Sequence, residues 1–376
     1  MNSVFSYIFS LQTTSYWLLL IWPFSVGVIL NKAQKQKELI CGIQQERWTW
    51  TNAFVMVLPL ILWAAYRPHV GDTSAYASRF INAPNSLGQI PSYISENTKD
   101  QGFSVLIILM KSLGITEYRT FFLIIAGFQI LCLTYTFRKY SDNFWISIFL
   151  FIVSTDYLSW TFNGMRQFVA VCMTFAAFDL LVKKKYLPFI VIVAMASTIH
   201  GSAVIMLPLA FVMQGTALNK KTMITIIGVA CCVPFVERFT PILETLLSDT
   251  QYGDVMGNEI WTSDDGTNLI RVLVYSVPAL IALLGRRYVV CANDRVMNLC
   301  VNASVLTMAM YIVSSVTSGI YVGRLPVYTT FHGYMILPKI IDLIFEEKSA
   351  LLINMLMILF YLFFFYFQMH FVWNYL

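Results

Sequence analysis

Long apolar runs, each closed by a short polar or basic cluster, recur along this chain from end to end. They predict helices over roughly 5–30, 48–66, 117–137, 143–162, 165–182, 186–199, 202–215, 222–238, 269–285, 296–316, 326–344 and 350–373. Most are about 15–25 residues long, enough to cross or nearly cross a hydrocarbon core of about 30 Å. A β-barrel would alternate in short segments instead. The pattern predicts an all-α polytopic membrane protein of about twelve transmembrane helices, forming a single integral-membrane domain over 1–376. Two stretches depart from the common length. The run "GFSVLIILMKSLG" (102–114) is short and holds Lys111, so it reads as a re-entrant or surface helix. The run 186–215 is long for one crossing and short for two, with His200-Gly201 at its middle and lysine clusters at both ends, so it reads as a hairpin turning at His200.

Charge orders the connections. The short loops at 32–47, 138–143, 183–185, 219–221, 286–295 and 345–349, with Lys339, carry 16 of the 25 Lys+Arg. The positive-inside rule assigns them to the cytoplasm. Arg67, Arg79, Lys99, Lys111, Arg119, Arg166, Arg238, Arg271 and Arg324 then fall at or near the outer face. That face also receives two long loops, 67–101 and 240–268, which hold nine of the 20 acids. Connections of this length are uncommon without a function of their own.

Composition agrees with the membrane reading: 58% of residues are hydrophobic, 12% are charged, and mean hydropathy is +0.67. The net charge of +5 is scattered among loops, which argues against a nucleic-acid partner. The seven cysteines form no CxxC pair, so neither a disulfide framework nor a metal site is expected. The first apolar run lacks the basic start and small-residue cleavage site of a signal peptide and reads as a retained helix. HExxH, Walker A, GxSxG and dinucleotide fingerprints are absent from the sequence, and no cofactor is expected.

Several polar groups stand where apolar runs stop. In "RPHVGDTSAY" (67–76), Arg67 occupies an anchoring position, and the following Gly-Asp turn brings Asp72 and Tyr76 back towards it. In "NGMRQFVA", Arg166 opens a helix, where a cation opposes the dipole; it either meets an anion or is neutralised by a neighbour such as Asp156. His200, in "STIHGSA", is flanked by small residues, and a histidine so placed serves in packing or in proton transfer. Arg324, in "SGIYVGRLPVY", stands beside Pro326 and Tyr328, and Arg271 sits just inside the helix after the acidic loop.

Taken together, "RPHVGDTSAY" at 67–76, "GF" at 102–103, "RQFVA" at 166–170, "HGSAVIMLP" at 200–208 and "GRLPVY" at 323–328 resemble the EpsG-like branch of the Wzy-type polysaccharide polymerases. Family members often carry an acid just before the Gly-Phe. Here the text is "KDQGF", with Gln101 at that place and Asp100 displaced by one. The resemblance implies an architecture like the GT-C glycosyltransferases. It also implies the joining of undecaprenyl-diphosphate-linked oligosaccharide repeats into O-antigen or a related surface polysaccharide, on the outer face of the bacterial cytoplasmic membrane. Its implied partners are those lipid-linked oligosaccharides, the surrounding membrane lipids and a chain-length regulator. Arg67, Arg166, Arg324 and Arg271 are then candidates for the diphosphate, His200 and Asp72 for catalysis, and Tyr76, Gln167 and Tyr328 for sugar contacts. A flippase for lipid-linked sugars, an O-antigen ligase and a sugar acyltransferase are the competing readings.

Overall fold

A computed structural model describes residues 12–30, 35–96, 99–233, 266–317, 319 and 322–373. The acidic stretch expected at 240–268 lies outside these residues up to position 265. The chain divides into two compact units, Met1–Val204 with Asn354–Leu376, and Ile205–Ile353. The first contains α1 (Gln12–Leu30), the strands β1 (Lys35–Ile40) and β2 (Ile43–Trp48), α2 (Trp50–Tyr66), α3 (Thr73–Asn82), α4 (Ile90–Glu96), α5 (Gln101–Ser112), α6 (Tyr118–Tyr140), α7 (Phe144–Val153), α8 (Asp156–Leu158), α9 (Met165–Ala176), α10 (Phe178–Val182) and α11 (Tyr186–Ile199). The second contains α12 (Met206–Met213), α13 (Lys220–Cys232), α14 (Leu269–Leu284), α15 (Arg286–Ala292), α16 (Arg295–Ser315) and α17 (Val327–Ile344); α18 (Glu347–Phe367) begins there and ends in the first.

Among the described residues, four helical stretches are long and apolar enough to cross a membrane: α6, Met165–Val182, α16 and Glu347–Val372. Two bent pairs, α7 with Asp156–Asn163 (69°) and α14 with α15 (76°), make six if each is one span. Tyr16–Leu30, α2, α5, α11 and Gly201–Met213 are shorter apolar helices. The protein is a mostly helical membrane protein. The first bend has a visible cause. Thr155 takes a left-handed conformation (φ 68°), and a π turn spans Ser159–Asn163. Backbone freed at such a break needs a partner away from water, and Arg67 Nη1 supplies one by donating to the Thr161 carbonyl (2.5 Å).

The basic connection at 32–47 holds an antiparallel hairpin, which was not expected. Cys41 and Gly42, both at positive φ (51° and 83°), form its two-residue turn. Its partners lie far along the chain at the end of α6. Arg138 pairs with Glu38 (2.5 Å), donates to the Trp48 carbonyl (2.7 Å) and lies over the Trp50 ring (4.3 Å). Arg47 Nε donates to the Lys139 carbonyl (2.8 Å). Burial would raise the Glu38 pKa, but the hydrogen bonds from Arg138 and Gln36 outweigh it and the net direction is down.

Within the first unit α6 packs against α2 and α9, and α9 against α11. A core of Phe80, Phe103, Phe121, Ile125, Met165 and neighbours ties α3, α5, α6 and α9 together. In the second unit α16 packs against α14, α17 and α13. Asn298 and Asn302, one turn apart on α16, accept from the amides of Ala217 and Leu218 (2.9 Å each). Asn302, the first residue of an Asn-Ala-Ser triplet, is thereby committed to holding a buried turn.

Candidate functional site

The stretch expected to be re-entrant or superficial is helix α5, and its start is where the motifs of the first unit converge. Asp100 precedes α5 in a left-handed conformation (φ 55°, ψ 51°). Its side chain is 2% exposed, and its Oδ2 pairs with Arg166 Nη1 at 2.5 Å. Oδ1 accepts from the Gly201 amide at 3.4 Å. The Arg166 amide donates weakly to the Tyr76 hydroxyl (3.5 Å). One carboxylate therefore links the start of α9 to the break after α11, with α3 alongside.

Gly102 explains how the helices come so close. A Cβ built there would lie 2.3 Å from Thr198 Oγ1 and 2.7 Å from the Thr198 carbonyl carbon and oxygen. Only a residue without a side chain lets the first turn of α5 lie on the last turn of α11. The adjacent Phe103 is fully buried, edge-on to Tyr76 (ring centroids 6.1 Å apart). The run 186–215 breaks where expected: α11 ends at Ile199, His200 is extended, and a 3₁₀ turn follows over Gly201–Ile205. His200 is half-buried, with Nδ1 2.7 Å from Ser202 Oγ.

A second guanidinium joins the first. Arg79 on α3 donates from Nη2 to Ser104 Oγ (2.8 Å) and lies 5.6 Å from the Phe103 ring centroid. Burial lowers the Arg79 pKa, and the charge on Arg166 lowers it further, against the opposing pull of Tyr93, Asp100 and Tyr76. Arg79 Nε and Arg166 Nε are buried and have no hydrogen-bond partner within the protein. Two cations around one carboxylate leave an excess positive charge with unpaired N–H groups, an arrangement that favours an anion.

Arg67 has a different setting. It is 7% exposed, with its guanidinium 4.5 Å from the Phe122 ring centroid and 4.9 Å from that of Phe162. Burial pushes its pKa down to about 10, with Tyr157, Tyr76 and Asp72 pulling the other way. It remains charged at neutral pH. Asp72 is exposed, and its amide donates to Asn163 Oδ1 (3.3 Å). Gly71 takes φ +57°, and a Cβ there would sit 1.6 Å from Asn163 Oδ1. The Gly-Asp turn is thus pressed onto the π turn.

The other candidates lie within the packed interior or belong to the second unit. Gln167 is buried in α9 (4% exposed), and Tyr328 is buried in α17 of the second unit (1%). Arg324 is exposed in a 3₁₀ turn, Val322–Arg324, and Arg271 is half-buried on α14, 5.8 Å from the Tyr275 ring centroid; both belong to the second unit. Asp156, the carboxylate nearest Arg166 in sequence, accepts instead from Trp160 Nε1 (3.0 Å) and Ser154 Oγ (3.1 Å). Sequence reasoning placed Asp100 one residue out of register and named Arg79 only as a basic residue of the outer face. The Gly-Phe after Asp100 was the usable signal. Among the described residues, no three His, Cys, Asp or Glu side chains converge as they would around a metal ion.

Apolar helices of spanning length, with a charged cluster gathered at a helix break, define a helical membrane protein. The EpsG family model matches residues 50–375, and the chain belongs to the EpsG family. This places it among membrane proteins of polysaccharide biosynthesis of the polymerase kind. Neither a curated protein nor a solved structure matches the chain significantly.

Proposed function

We propose that this protein is a glycosyltransferase that polymerises undecaprenyl-diphosphate-linked oligosaccharide repeats into O-antigen or a related surface polysaccharide, on the outer face of the cytoplasmic membrane. The observation that carries the reading is the contact of Asp100 with Arg166 and Gly201, which gathers three separated motifs of an EpsG-family chain at one place. In the transfer, an acceptor sugar hydroxyl attacks the anomeric carbon of the growing chain. A glycosidic C–O bond forms, the bond from that carbon to the diphosphate breaks, and the diphosphate leaves with the electron pair. Charge grows on the diphosphate as it departs, so preorganised guanidiniums lower the barrier. Arg166 and Arg79 take that role, each with a buried N–H to offer. Asp100 fixes the plane of the Arg166 guanidinium.

His200 receives the acceptor proton, since an imidazole within reach of the acceptor hydroxyl can act as a general base. Asp72, whose charge reaches Arg67, helps hold the turn that carries Arg67. The sugar arrives already activated, so no nucleotide site is required. The test is deletion in the source strain with complementation, followed by electrophoresis of the surface polysaccharide. A ladder that collapses to a single-repeat band and returns with the wild-type gene is expected. Loss of every repeat would favour a flippase or ligase instead.

A further inference from the structure

Tyr76, Gln167 and Tyr328 are 8%, 4% and 1% exposed, and the Tyr76 hydroxyl already meets the Arg166 amide. A saccharide needs accessible polar surface, and the first unit offers it nearby. A cleft of about 390 Å³ opens in segment 67–101, lined by Asn82, Pro84, Gln89, Ser92, Tyr93 and Glu96. Its volume falls within the roughly 300–1,000 Å³ of small-ligand sites.

Both walls are fixed by hydrogen bonds. Lys111 on α5 reaches back to the end of α3, donating to the carbonyls of Phe80 (3.1 Å), Ile81 (2.9 Å) and Ala83, which sets the position of Asn82 and Pro84. Opposite them, Ser92 Oγ donates to the Gln89 carbonyl (3.0 Å), and Gln101 Nε2 donates to the Ile94 carbonyl (3.4 Å), tying α4 to α5. Tyr93 packs on the core shared with Phe80 and Phe103. Arg79 lies 5.6 Å from the Phe103 ring centroid of that core and interacts electrostatically with Tyr93, so the cleft adjoins the Arg79 guanidinium.

The chemistry of the lining selects the ligand. Two amides, a hydroxyl and a carboxylate supply donors and acceptors together, as vicinal sugar hydroxyls require. The Tyr93 ring gives an apolar face with a polar tip. Among the described residues no cation lines the cleft, and Glu96 would repel an anion.

We propose that this cleft is a saccharide subsite that holds a sugar ring of the lipid-linked repeat while Arg79 and Arg166 hold the diphosphate. The inference rests on the polymerase reading, since sugar and diphosphate are joined by one bond and their sites must adjoin. The test uses the full-length protein in lipid nanodiscs and two separate probes. One is oligosaccharide released by partial acid hydrolysis of the source strain's surface polysaccharide, followed by saturation-transfer NMR. The other is inorganic pyrophosphate, followed by calorimetry. Gln89→Ala and Glu96→Gln alter exposed side chains and empty no core. Each should weaken oligosaccharide binding by at least about tenfold, with pyrophosphate affinity within about twofold of wild type.

Saturation transfer that is absent from the wild type, or unchanged in both variants, would overturn the assignment. So would loss of both probes together in both variants, since that would show one undivided site. The polymerase reading is judged separately, by the ladder of the deletion strain.

Discussion

Replacing Asp100 by Asn is the sharpest perturbation the structure offers. The amide keeps the shape and can still accept from Gly201, but its NH₂ or its neutral oxygen now faces the Arg166 guanidinium. Removing one partner of a fully buried ion pair costs about 3–5 kcal/mol, because the other charge is left stranded. Asp100 is 2% exposed but Arg166 is 23% exposed, so water recovers part of that cost. The expectation is about 2–3 kcal/mol. At about 2–4 °C per kcal/mol, that lowers the unfolding midpoint by roughly 4–12 °C. The assay is unfolding in detergent at one fixed scan rate, run with Arg166→Gln and with the double variant. Once Arg166 is gone, Asp100→Asn should cost little, a coupling of roughly 2–3 kcal/mol. The same single variants should collapse the polysaccharide ladder in complemented cells. Additivity within about 0.5 kcal/mol together with a normal ladder would show that the contact organises nothing.

Four further outcomes are expected. Gly102→Ala should push α5 off α11 and shorten the ladder while its transcript level holds; a wild-type ladder would mean the close approach to Thr198 is dispensable. His200→Gln should slow turnover by roughly 10²-fold or more with pyrophosphate binding unchanged, as loss of a base demands; near-normal turnover would move the base elsewhere. Arg166→Lys keeps the charge but loses the planar fork, so normal polymerisation by this variant would sink the bidentate role. The fourth concerns acid. The Glu38 carboxyl is lowered in the folded state, so its contribution is full above the ordinary Glu range and fades as pH falls through the lowered folded value. Thermal midpoints should drop on acidification less steeply in Glu38→Gln than in wild type, and parallel curves would refute the link to Arg138.

The helical membrane class was legible because apolar runs of spanning length leave few other readings. Arg166 and His200 stood out for a similar reason, as charged or titratable groups beside breaks in such runs. Asp100 did not. Its position depends on a left-handed backbone angle that an aspartate adopts without any fixed sequence mark, and its partners lie 66 and 101 residues away. The hairpin was hidden likewise: its latch to Arg138 spans 100 residues, and a run of Lys, Gln and Glu reads locally as a solvated loop. Lys111 looked like an obstacle to membrane insertion, and the structure gives it a task, since its ammonium caps the last carbonyls of α3.

The long reach of Asp100 has a consequence for biogenesis. A ribosome adding about 5–20 residues per second leaves this aspartate without Arg166 for roughly 3–13 s, and without Gly201 for roughly 5–20 s. An ionised carboxylate does not enter a dry interior before its counter-charge arrives. Segment 67–101 must therefore wait in contact with water while α6 to α9 are threaded into the bilayer. The site is closed from the C-terminal side, only once Gly201 has been made, and a chain truncated anywhere before Arg166 would present an unfinished, hydrated segment to the cell's membrane-quality proteases.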